Sequence, residues 1–507
     1  MKATRLDLWH DRIFKNQTYA LLIACIVFAP LLFINVRNSI DWGDDNVQYI
    51  HQAKNIVEGI PQSQTGYIYN KNYPIGGPRA YPVGFPLLLA PAYALAGYNL
   101  YAFTFVVAFI SFILALLMIL FFMRYVRAFS AIVLTALFFY NPPVLMFKAE
   151  VVSDLPFGLF LVASTLLYTA PGRRTYGQSV LIALLIGMLI SIKSVGLFFP
   201  VAILADTARI ALLRMRGKQT AGSGLDVLPR FIMVAGGVAF YAILNLVIFR
   251  MPSGGGISDY LNIFNLGQLS DTVLQNMTKY VEVMRFIFVP QVEEYQAFAL
   301  AAGSICLTLL FFGMVRRIIQ GIDFVDILAL CYLAVFLVYP YNAGAFRFIM
   351  PAGFLVLYYM ALGLHSFNPG IPVNGLTKAI VAGGLMLILF LPGLKNIVAS
   401  QRSILPGPQE NAPQEAFAWI KANTPTDAVI AFDKSRAMAF YTDRHGFSTP
   451  KGQDIAPMHV DFINANVTYF LESKSLSDES FKLYIRLNQN RLERIWGNEE
   501  FDLYKLR

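Results

Sequence analysis

The sequence predicts an all-α polytopic membrane domain followed by a small C-terminal α/β domain. Of its 507 residues, 56% are hydrophobic and 14% are charged, whereas about 25% are charged in an average soluble globular protein. Apolar runs that approach the length needed to cross a bilayer recur as far as Leu394. Beyond that residue, short alternating strand and helix patterns replace them. We therefore assign residues 1–397 to the membrane domain and residues 398–507 to the α/β domain.

The composition also disfavours several classes of protein. The formal net charge is +9, but many of the basic residues lie in short loops between apolar runs, so this charge does not indicate a nucleic-acid partner. Cys25, Cys306 and Cys331 all lie within apolar segments and lack paired spacing, which disfavours a disulfide framework or a zinc site. The basic N-terminus precedes an apolar run without a cleavage motif, which is typical of a retained signal anchor.

Apolar runs of 15 to 24 residues predict eleven membrane spans. These runs are residues 18–37, 100–123, 129–147, 155–170, 178–192, 195–213, 231–249, 298–315, 324–339, 346–364 and 379–394. The segment 81–97 is also apolar but contains three prolines, and we place it at the membrane surface within the first outer loop (residues 38–99). The basic loop residues then fall on the side of the N-terminus, as the positive-inside rule requires. The N-terminus is therefore predicted to be cytoplasmic and the C-terminal domain extracytoplasmic.

Two adjacent carboxylates, Asp44 and Asp45, follow the first predicted span. The apolar residues of the next segment, 46–59, recur at helical spacing, and Gly59 is a plausible C-terminal stop. The pattern predicts a short helix that lies along the bilayer and begins with an acidic pair. The structural alternative is that an Asp at this position is only an N-cap.

Further ionisable residues gather at the outer membrane boundary in this topology. They are Lys71, Arg79, Lys148, Glu150, Asp154, Lys193 and Arg347. Burying a charge in hydrocarbon costs about 2.5–3.5 kcal/mol on insertion scales, so a charge at such a boundary indicates a function by default. Acids and bases that converge on one face predict a site for an anionic group. The structural alternatives are a helix cap for Asp154, a snorkelling side chain for Lys193 and a lipid contact for Arg347.

The remaining segments are predicted to be soluble. Residues 251–295 form an outer loop, and the glycines at positions 254–256 indicate a hinge because they lack the continuation of a phosphate-binding loop. In the C-terminal domain, helices are predicted at 414–423, 435–443 and 477–489, strands at 428–432 and 467–471, and a hairpin within 492–506. Asp433, Lys434 and Arg436 follow the first of these strands, and we interpret them as a solvated loop rather than as acceptor contacts.

Taken in order, these motifs resemble the GT-C glycosyltransferase superfamily. The acidic pair, the surface helix and the Tyr-Pro-x-Gly-x-Pro run beginning at Tyr81 are similar to its polyprenyl-phosphate-sugar-dependent branch, the protein O-mannosyltransferases and the lipid A aminoarabinose transferase. Asp154 resembles the second acidic position of that branch and Lys193 its basic turn, and Arg347 fits at the outer mouth of a late span. The resemblance covers residues 18–394 as architecture, with specific motifs in the first third.

Besides the Asp-Asp pair at Asp44 and Asp45, where many members have Asp-Glu and little effect is expected, the chain departs from this family pattern at two points. Some members carry Lys-Pro where this chain has Tyr81-Pro82, so a phosphate-binding lysine is absent there, and Arg79 or Lys71 would take its place. The Trp-Trp-Asp motif of oligosaccharyltransferases is absent as well. This second departure disfavours the transfer of a whole oligosaccharide to asparagine.

The resemblance implies an inverting glycosyltransferase that moves a hexose or a pentose from a polyprenyl-phosphate donor to an acceptor hydroxyl at the outer face. The acceptor hydroxyl has a pKa far above 7 and needs a carboxylate base, and the leaving phosphate needs a basic side chain. We assign Asp44 as the base, Asp45 as the group that orients the sugar or the acceptor, and Asp154 as a second acidic contact. The residues assigned to phosphate binding are Lys193, Arg79 and Arg347.

The expected partners are the lipid bilayer, the polyprenyl-phosphate sugar and an acceptor that is a lipid, a polysaccharide or a protein. No cofactor is expected: acidic residues are numerous enough to hold a divalent cation, but the most similar branch does not need one for its chemistry. A transporter or flippase for lipid-linked saccharides, or a non-catalytic scaffold, is the competing interpretation. The one-sided charges and the lack of an obvious repeat disfavour a transporter. The expected location is a bacterial inner membrane.

Overall fold

The structure, a computed structural model, describes residues 17–73, 76–172, 175–217, 227–250, 267, 269–285, 296–339, 345–366 and 405–507. The predicted glycine hinge at 254–256 and the eleventh predicted span at 379–394 lie outside these residues. Helices predominate up to Ser366, and helices alternate with strands from Asn411 onward.

Most helices of the first part are apolar. In chain order they are α1 (Gln17–Phe28), α2 (Asp44–Val57), α3 (Gly84–Ala96), α4 (Leu100–Phe122), α5 (Ala128–Phe139), α6 (Pro142–Lys148), α7 (Asp154–Tyr168), α8 (Tyr176–Ile192), α9 (Phe198–Met215), α10 (Val227–Ala242), α11 (Leu269–Arg285), α12 (Gln296–Gln320), α13 (Phe324–Val338), α14 (Ala345–Ile349) and α15 (Gly353–Ser366). Short 3₁₀ segments follow α1, precede α9 and join α14 to α15, and a π-helical segment, Ile243–Ile248, follows α10.

Five helices among the described residues are long and apolar enough to cross a membrane. They are Leu100–Phe122, Ser194–Met215, Val227–Ile248, Leu300–Gln320 and Phe346–Leu364. Each of the first ten predicted spans overlaps a described apolar helix, but several of these helices are shorter. Helix α7, for example, has 15 residues and is about 22 Å long, whereas the hydrocarbon core is about 30 Å thick. The number of eleven spans therefore stays a prediction.

The predicted span at 129–147 is not one straight helix. Helices α5 and α6 meet at an angle of 67°, and the break falls at Asn141, directly before Pro142 and Pro143. Proline lacks the N–H that a continuing helix requires, but it is well tolerated in the first helical turn. The two prolines therefore end one helix and begin the next.

Helix α2 lies close to its predicted position. It begins at Asp44 with Gly43 as its N-cap, and Gly59 beyond its end has a φ of +70°, a left-handed conformation that glycine adopts without strain. Because Asp44 and Asp45 lie inside the first turn, the alternative in which Asp44 is merely an N-cap is wrong.

The C-terminal residues form helices and strands that join a strand from the first loop. The strands are β1 (Tyr67–Ile68), β2 (Val429–Ala431), β3 (His445–Phe447), β4 (Tyr469–Ser473), β5 (Leu492–Gly497) and β6 (Phe501–Leu506), and the helices are α16 (Asn411–Asn423), α17 (Ser435–Thr442), α18 (Ile455–Asn464) and α19 (Glu479–Leu487). The strand order is β1-β3-β2-β4-β6-β5. Strands β1, β3, β2 and β4 are parallel to their neighbours in this order, and β6 pairs antiparallel with β4 and β5.

The predicted C-terminal helices and strands all overlap observed elements, but β1, β3 and α18 were not predicted. Strands of two and three residues are too short to show an alternating pattern. Since β1 comes from the first loop, the sheet includes two residues of the predicted membrane domain. The domain boundary at residues 397 and 398 stays a prediction.

Candidate functional site

Side chains of α2 tie its first turns to the segment before α7. The Asn46 amide donates to a Glu150 oxygen at 2.7 Å, and its oxygen accepts the Val151 N–H at 2.6 Å. One turn later, the Tyr49 and Ser153 hydroxyls lie 2.9 Å apart. These bonds bring the acidic start of α2 beside Asp154, the first residue of α7.

Two glutamines of α2 hold the loop that contains Tyr81. Gln48 donates to the backbone oxygen of Arg79 at 2.9 Å, while Gln52 donates to the Tyr81 oxygen at 2.8 Å and accepts the Tyr81 N–H at 3.0 Å. The Tyr81 ring stacks on Tyr49 with centroids 4.6 Å apart. The polar side of α2 is therefore buried against loops rather than solvated. The signal for this in the sequence is the helical spacing of uncharged amides, such as Gln48 and Gln52.

Three of the sequence-predicted charged residues meet Asp45 in an ion cluster. Arg347 bridges two carboxylates: its Nη1 donates to Asp45 and its Nε to Asp154, both at 2.6 Å. Lys193 Nζ donates to the other oxygen of Asp154 at 2.5 Å. The Asp154 side chain has no exposed surface, so its negative charge depends on these two cations. The cap interpretation of Asp154 and the snorkelling interpretation of Lys193 are wrong.

Arg436 joins the cluster from the C-terminal residues, where we had predicted a solvated loop. Its side chain is only 2% exposed. Its Nη1 lies 3.3 Å from an Asp45 oxygen and 3.1 Å from the Tyr81 hydroxyl, and its guanidinium also lies over the rings of Tyr67 and Tyr81. The solvated-loop prediction is therefore wrong for Arg436, because helix α17, which contains it, packs against α2.

Asp45 is held in its ionised form. Burial opposes its ionisation, but the charges of Arg347 and Arg436 and the hydroxyl of Tyr81 outweigh that effect and keep the pKa of Asp45 well below its ordinary value. Both oxygens of Asp45 already accept hydrogen bonds, one from Arg347 and the other from Tyr81 and Arg436.

Asp44 differs from its neighbour. Burial raises the pKa of Asp44 to about 6, because the nearby charges of Arg436 and Lys434 offset the desolvation only in part. Its Oδ1 is buried and has no hydrogen-bond partner among the described residues. Asp44 is therefore the carboxylate of the pair with an oxygen that no described residue occupies as a hydrogen-bond donor, and its proton affinity suits a general base near neutral pH.

The ion cluster keeps part of its surface exposed. The side chains of Asp45, Arg347 and Lys193 keep 24%, 25% and 19% of their surface exposed, whereas Asp154 and Arg436 are closed off. A ligand that reaches this exposed surface would meet two cations, Arg347 and Lys193. The arrangement can bind an anion beside a free carboxylate.

The structure does not bring every predicted site residue into this cluster. The side chains of Lys71 and Arg79 are exposed, and neither forms an ion pair within the described ranges. Lys148 is fully buried and donates to the backbone oxygen of Ile34 instead. Phosphate binding by Lys71 and Arg79 stays a prediction.

In the part of the chain that the structure describes, no group of three or more His, Cys, Asp or Glu side chains is arranged to hold a metal ion. Arg347 lies between Asp45 and Asp154, where a bridging metal ion would otherwise have to bind.

Comparisons with solved structures identify the fold. No protein-family model matches the chain, and no curated protein matches its sequence. Among solved structures, the archaeal oligosaccharyltransferase AglB from Archaeoglobus fulgidus, in complex with an inhibitory peptide and a dolichol-phosphate, aligns with a TM-score of 0.54 at 12% identity over 90% of this chain and 69% of that chain. ArnT from Cupriavidus metallidurans, bound to undecaprenyl phosphate, aligns with a TM-score of 0.52 at 12% identity over 96% of this chain and 98% of that chain. Both are GT-C glycosyltransferases, and this chain has the GT-C fold that its motifs predicted.

Proposed function

We propose that this protein is an inverting glycosyltransferase that moves a hexose or a pentose from a polyprenyl-phosphate donor to an acceptor hydroxyl, at the outer face of a bacterial inner membrane. The observation that carries this proposal is the contrast between Asp44, which has a free oxygen, and Asp45, which Arg347 and Arg436 hold ionised. The shared fold supports a lipid-phosphate donor, since the similar structures contain dolichol-phosphate or undecaprenyl phosphate.

In the proposed reaction, Asp44 takes the proton of the acceptor hydroxyl while the hydroxyl oxygen attacks the anomeric carbon of the sugar. The bond between that carbon and the phosphate oxygen breaks, and its electron pair stays on the lipid phosphate. A single displacement of this kind inverts the configuration of the anomeric carbon. The Asp44 carboxylate ends the step protonated and returns its proton to solvent.

Arg347 and Lys193 are the proposed phosphate ligands. Negative charge grows on the leaving phosphate as the bond breaks, and donors that are already oriented stabilise that charge without reorganising. Asp154 orients both cations, because it accepts a hydrogen bond from each. Asp154 thus acts through Arg347 and Lys193, and it need not touch the substrate itself.

Asp45 is proposed to position the other groups and to orient the sugar. It holds Arg347 on one oxygen and Tyr81 and Arg436 on the other. Its low proton affinity makes it a poor base but a stable anion, suited to accept hydrogen bonds from sugar hydroxyls on its exposed side. The proposed reaction does not require a metal ion, and the absence of a cofactor stays a prediction.

The test measures transfer or release of sugar from a radiolabelled polyprenyl-phosphate sugar by the purified full-length protein in detergent. We expect Asp44→Asn to lower turnover by about 10²–10⁴-fold, the usual contribution of a general base, while binding of the donor persists. The exposed Asp427 supplies the control, and Asp427→Asn should keep wild-type activity.

The other outcomes discriminate between the alternatives. Equal activity of Asp44→Asn and wild type would exclude Asp44 as the base. If neither protein binds a donor, across several sugars, the transferase proposal fails and the transporter or scaffold interpretation replaces it.

A further inference from the structure

A second group of polar side chains lies at the carboxyl edge of the sheet. Strands β1, β3, β2 and β4 are parallel, so their carboxyl ends meet at one edge, which is where α/β sheets usually bind ligands. Asp433 follows β2, Thr449 follows β3, and Ser477 follows β4. These residues take no part in the ion cluster around Asp45.

Asp433 and Thr449 are buried, and neither side chain forms a hydrogen bond of normal geometry among the described residues. Asp433 is 8% exposed and Thr449 is 2% exposed, yet both carboxylate oxygens and the threonine hydroxyl lack a bond of normal geometry. The Thr449 and Ser477 hydroxyls and the Asp478 N–H are near enough to act on the carboxylate as hydrogen-bond donors. A buried polar group without a partner costs free energy, so it calls for an explanation such as a missing ligand.

The surroundings of Asp433 favour a polyhydroxylated ligand. The carboxylate can accept hydrogen bonds from ligand hydroxyls, and the Thr449 and Ser477 hydroxyls can donate to ligand oxygens. The exposed Lys451 contributes a positive charge near Asp433, which opposes binding of a metal cation. The phenol of Tyr73, on the loop after β1, also lies within electrostatic reach of this carboxylate.

Asp433, at the carboxyl edge, is close in sequence to two residues that act on the proposed reaction centre. Lys434, the residue after Asp433, is near enough for its charge to act on Asp44, and Arg436 contacts Asp45. Since consecutive Cα atoms are about 3.8 Å apart, the Cα atoms of Asp433 and Arg436 are separated by at most roughly 11 Å. A saccharide held at Asp433 would therefore lie near residues that act on Asp44 and Asp45.

We propose that the carboxyl edge of the sheet, with Asp433 and Thr449 at its centre, binds a saccharide portion of the acceptor. This inference rests on the proposed glycosyl transfer and adds the chemical class of the acceptor. Asp433 accepts hydrogen bonds from saccharide hydroxyls, and Thr449 and Ser477 donate to its oxygens. No bond is made or broken at this edge.

The experiment measures binding of the detergent-purified full-length protein to a microarray of defined glycans. Wild type and Asp427→Asn should bind the same glycans, and Asp433→Asn and Thr449→Val should bind them about tenfold or more weakly, as expected for lost hydrogen bonds to a charged or buried group. Asp427 is the matched control because it precedes β2, at the opposite edge of the sheet.

Each variant is first tested for binding of polyprenyl phosphate, which shows that it has folded. If Asp433→Asn does not bind this lipid, glycan binding by Thr449→Val alone tests the proposal. Unchanged glycan binding by both variants, or no glycan bound by wild type, would overturn the proposal. So would a melting temperature that Ca²⁺ raises in wild type but not in Asp433→Asn, which would indicate a cation site. The binding measurement does not depend on catalysis. Full transfer activity in Asp44→Asn would therefore contradict the assignment of Asp44 as the base without contradicting saccharide binding at Asp433.

Discussion

Asp44 and Asp45 are neighbours in the sequence, but their carboxylates have different surroundings. Asp45 points toward Arg347, Tyr81 and Arg436, and it is held ionised by them. Asp44 keeps one buried oxygen without a partner among the described residues. At the scale of single residues, two identical side chains therefore differ in proton affinity because they differ in burial and in paired charge.

The difference predicts how the proposed transfer depends on pH. Burial raises the pKa of Asp44 to about 6, and a base acts only when it is ionised. Activity should therefore be present above pH 6 and be lost as the pH falls through about 6. The measurement is kcat/KM for transfer between pH 4.5 and pH 8, which reports the ionisation of groups in the free enzyme. A rate that stays constant down to pH 4.5 would exclude Asp44 as the base.

At the scale of elements, the loop between β1 and α3 connects the sheet to the ion cluster. Its backbone bends sharply at Gly77, where φ is +87° and an added Cβ would overlap the Arg436 guanidinium. The same guanidinium donates to the Pro78 oxygen at 2.8 Å. Glycine is required at this position for two separate reasons, the positive φ and the close approach of Arg436.

Gly77→Ala should therefore reduce both stability and transfer activity, because it strains the backbone by about 1–2 kcal/mol and displaces Arg436 from Asp45. Gly59→Ala is the matched control: φ is +70° there as well, but no atom lies within 4 Å of an added Cβ. Thermal unfolding and transfer rates of the two variants separate the effects. Equal losses of activity in both would mean that backbone strain alone is responsible and that Arg436 is not displaced.

At the scale of the whole molecule, the C-terminal residues pack directly on the first loop and on α2. The Trp42 ring lies 6.5 Å from Phe417 and 6.2 Å from Phe432, edge to face in both cases. Strand β1 pairs with β3, and Asp461 accepts hydrogen bonds from Asn70 and Asn72. Arg436 reaches Asp45 only because these contacts hold the two parts together.

Trp42→Ala should loosen this packing. Truncating a large buried aromatic residue costs about 3–5 kcal/mol, and we expect a smaller loss here because Trp42 is only partly buried. Amide hydrogen exchange should rise in β1 and α17 together, and transfer activity should fall. The control is Trp419→Ala, which removes a ring that stacks on Trp496 within the C-terminal residues. Faster exchange in Trp419→Ala at β1 and α17, to the same extent, would contradict a specific role for Trp42.

The sequence by itself determined the apolar helices, most of the C-terminal helices and strands, and the candidate residues Asp44, Asp45, Asp154, Lys193 and Arg347. Hydropathy and helical spacing are local properties, so a local pattern records them. Only the tertiary structure decided which charges meet. Arg347 and Asp45 are 302 positions apart, and ion pairing acts over a few ångströms, so no pattern in the chain could show that Arg347 joins Asp45 to Asp154 or that Arg436 closes the cluster from the far end of the sequence.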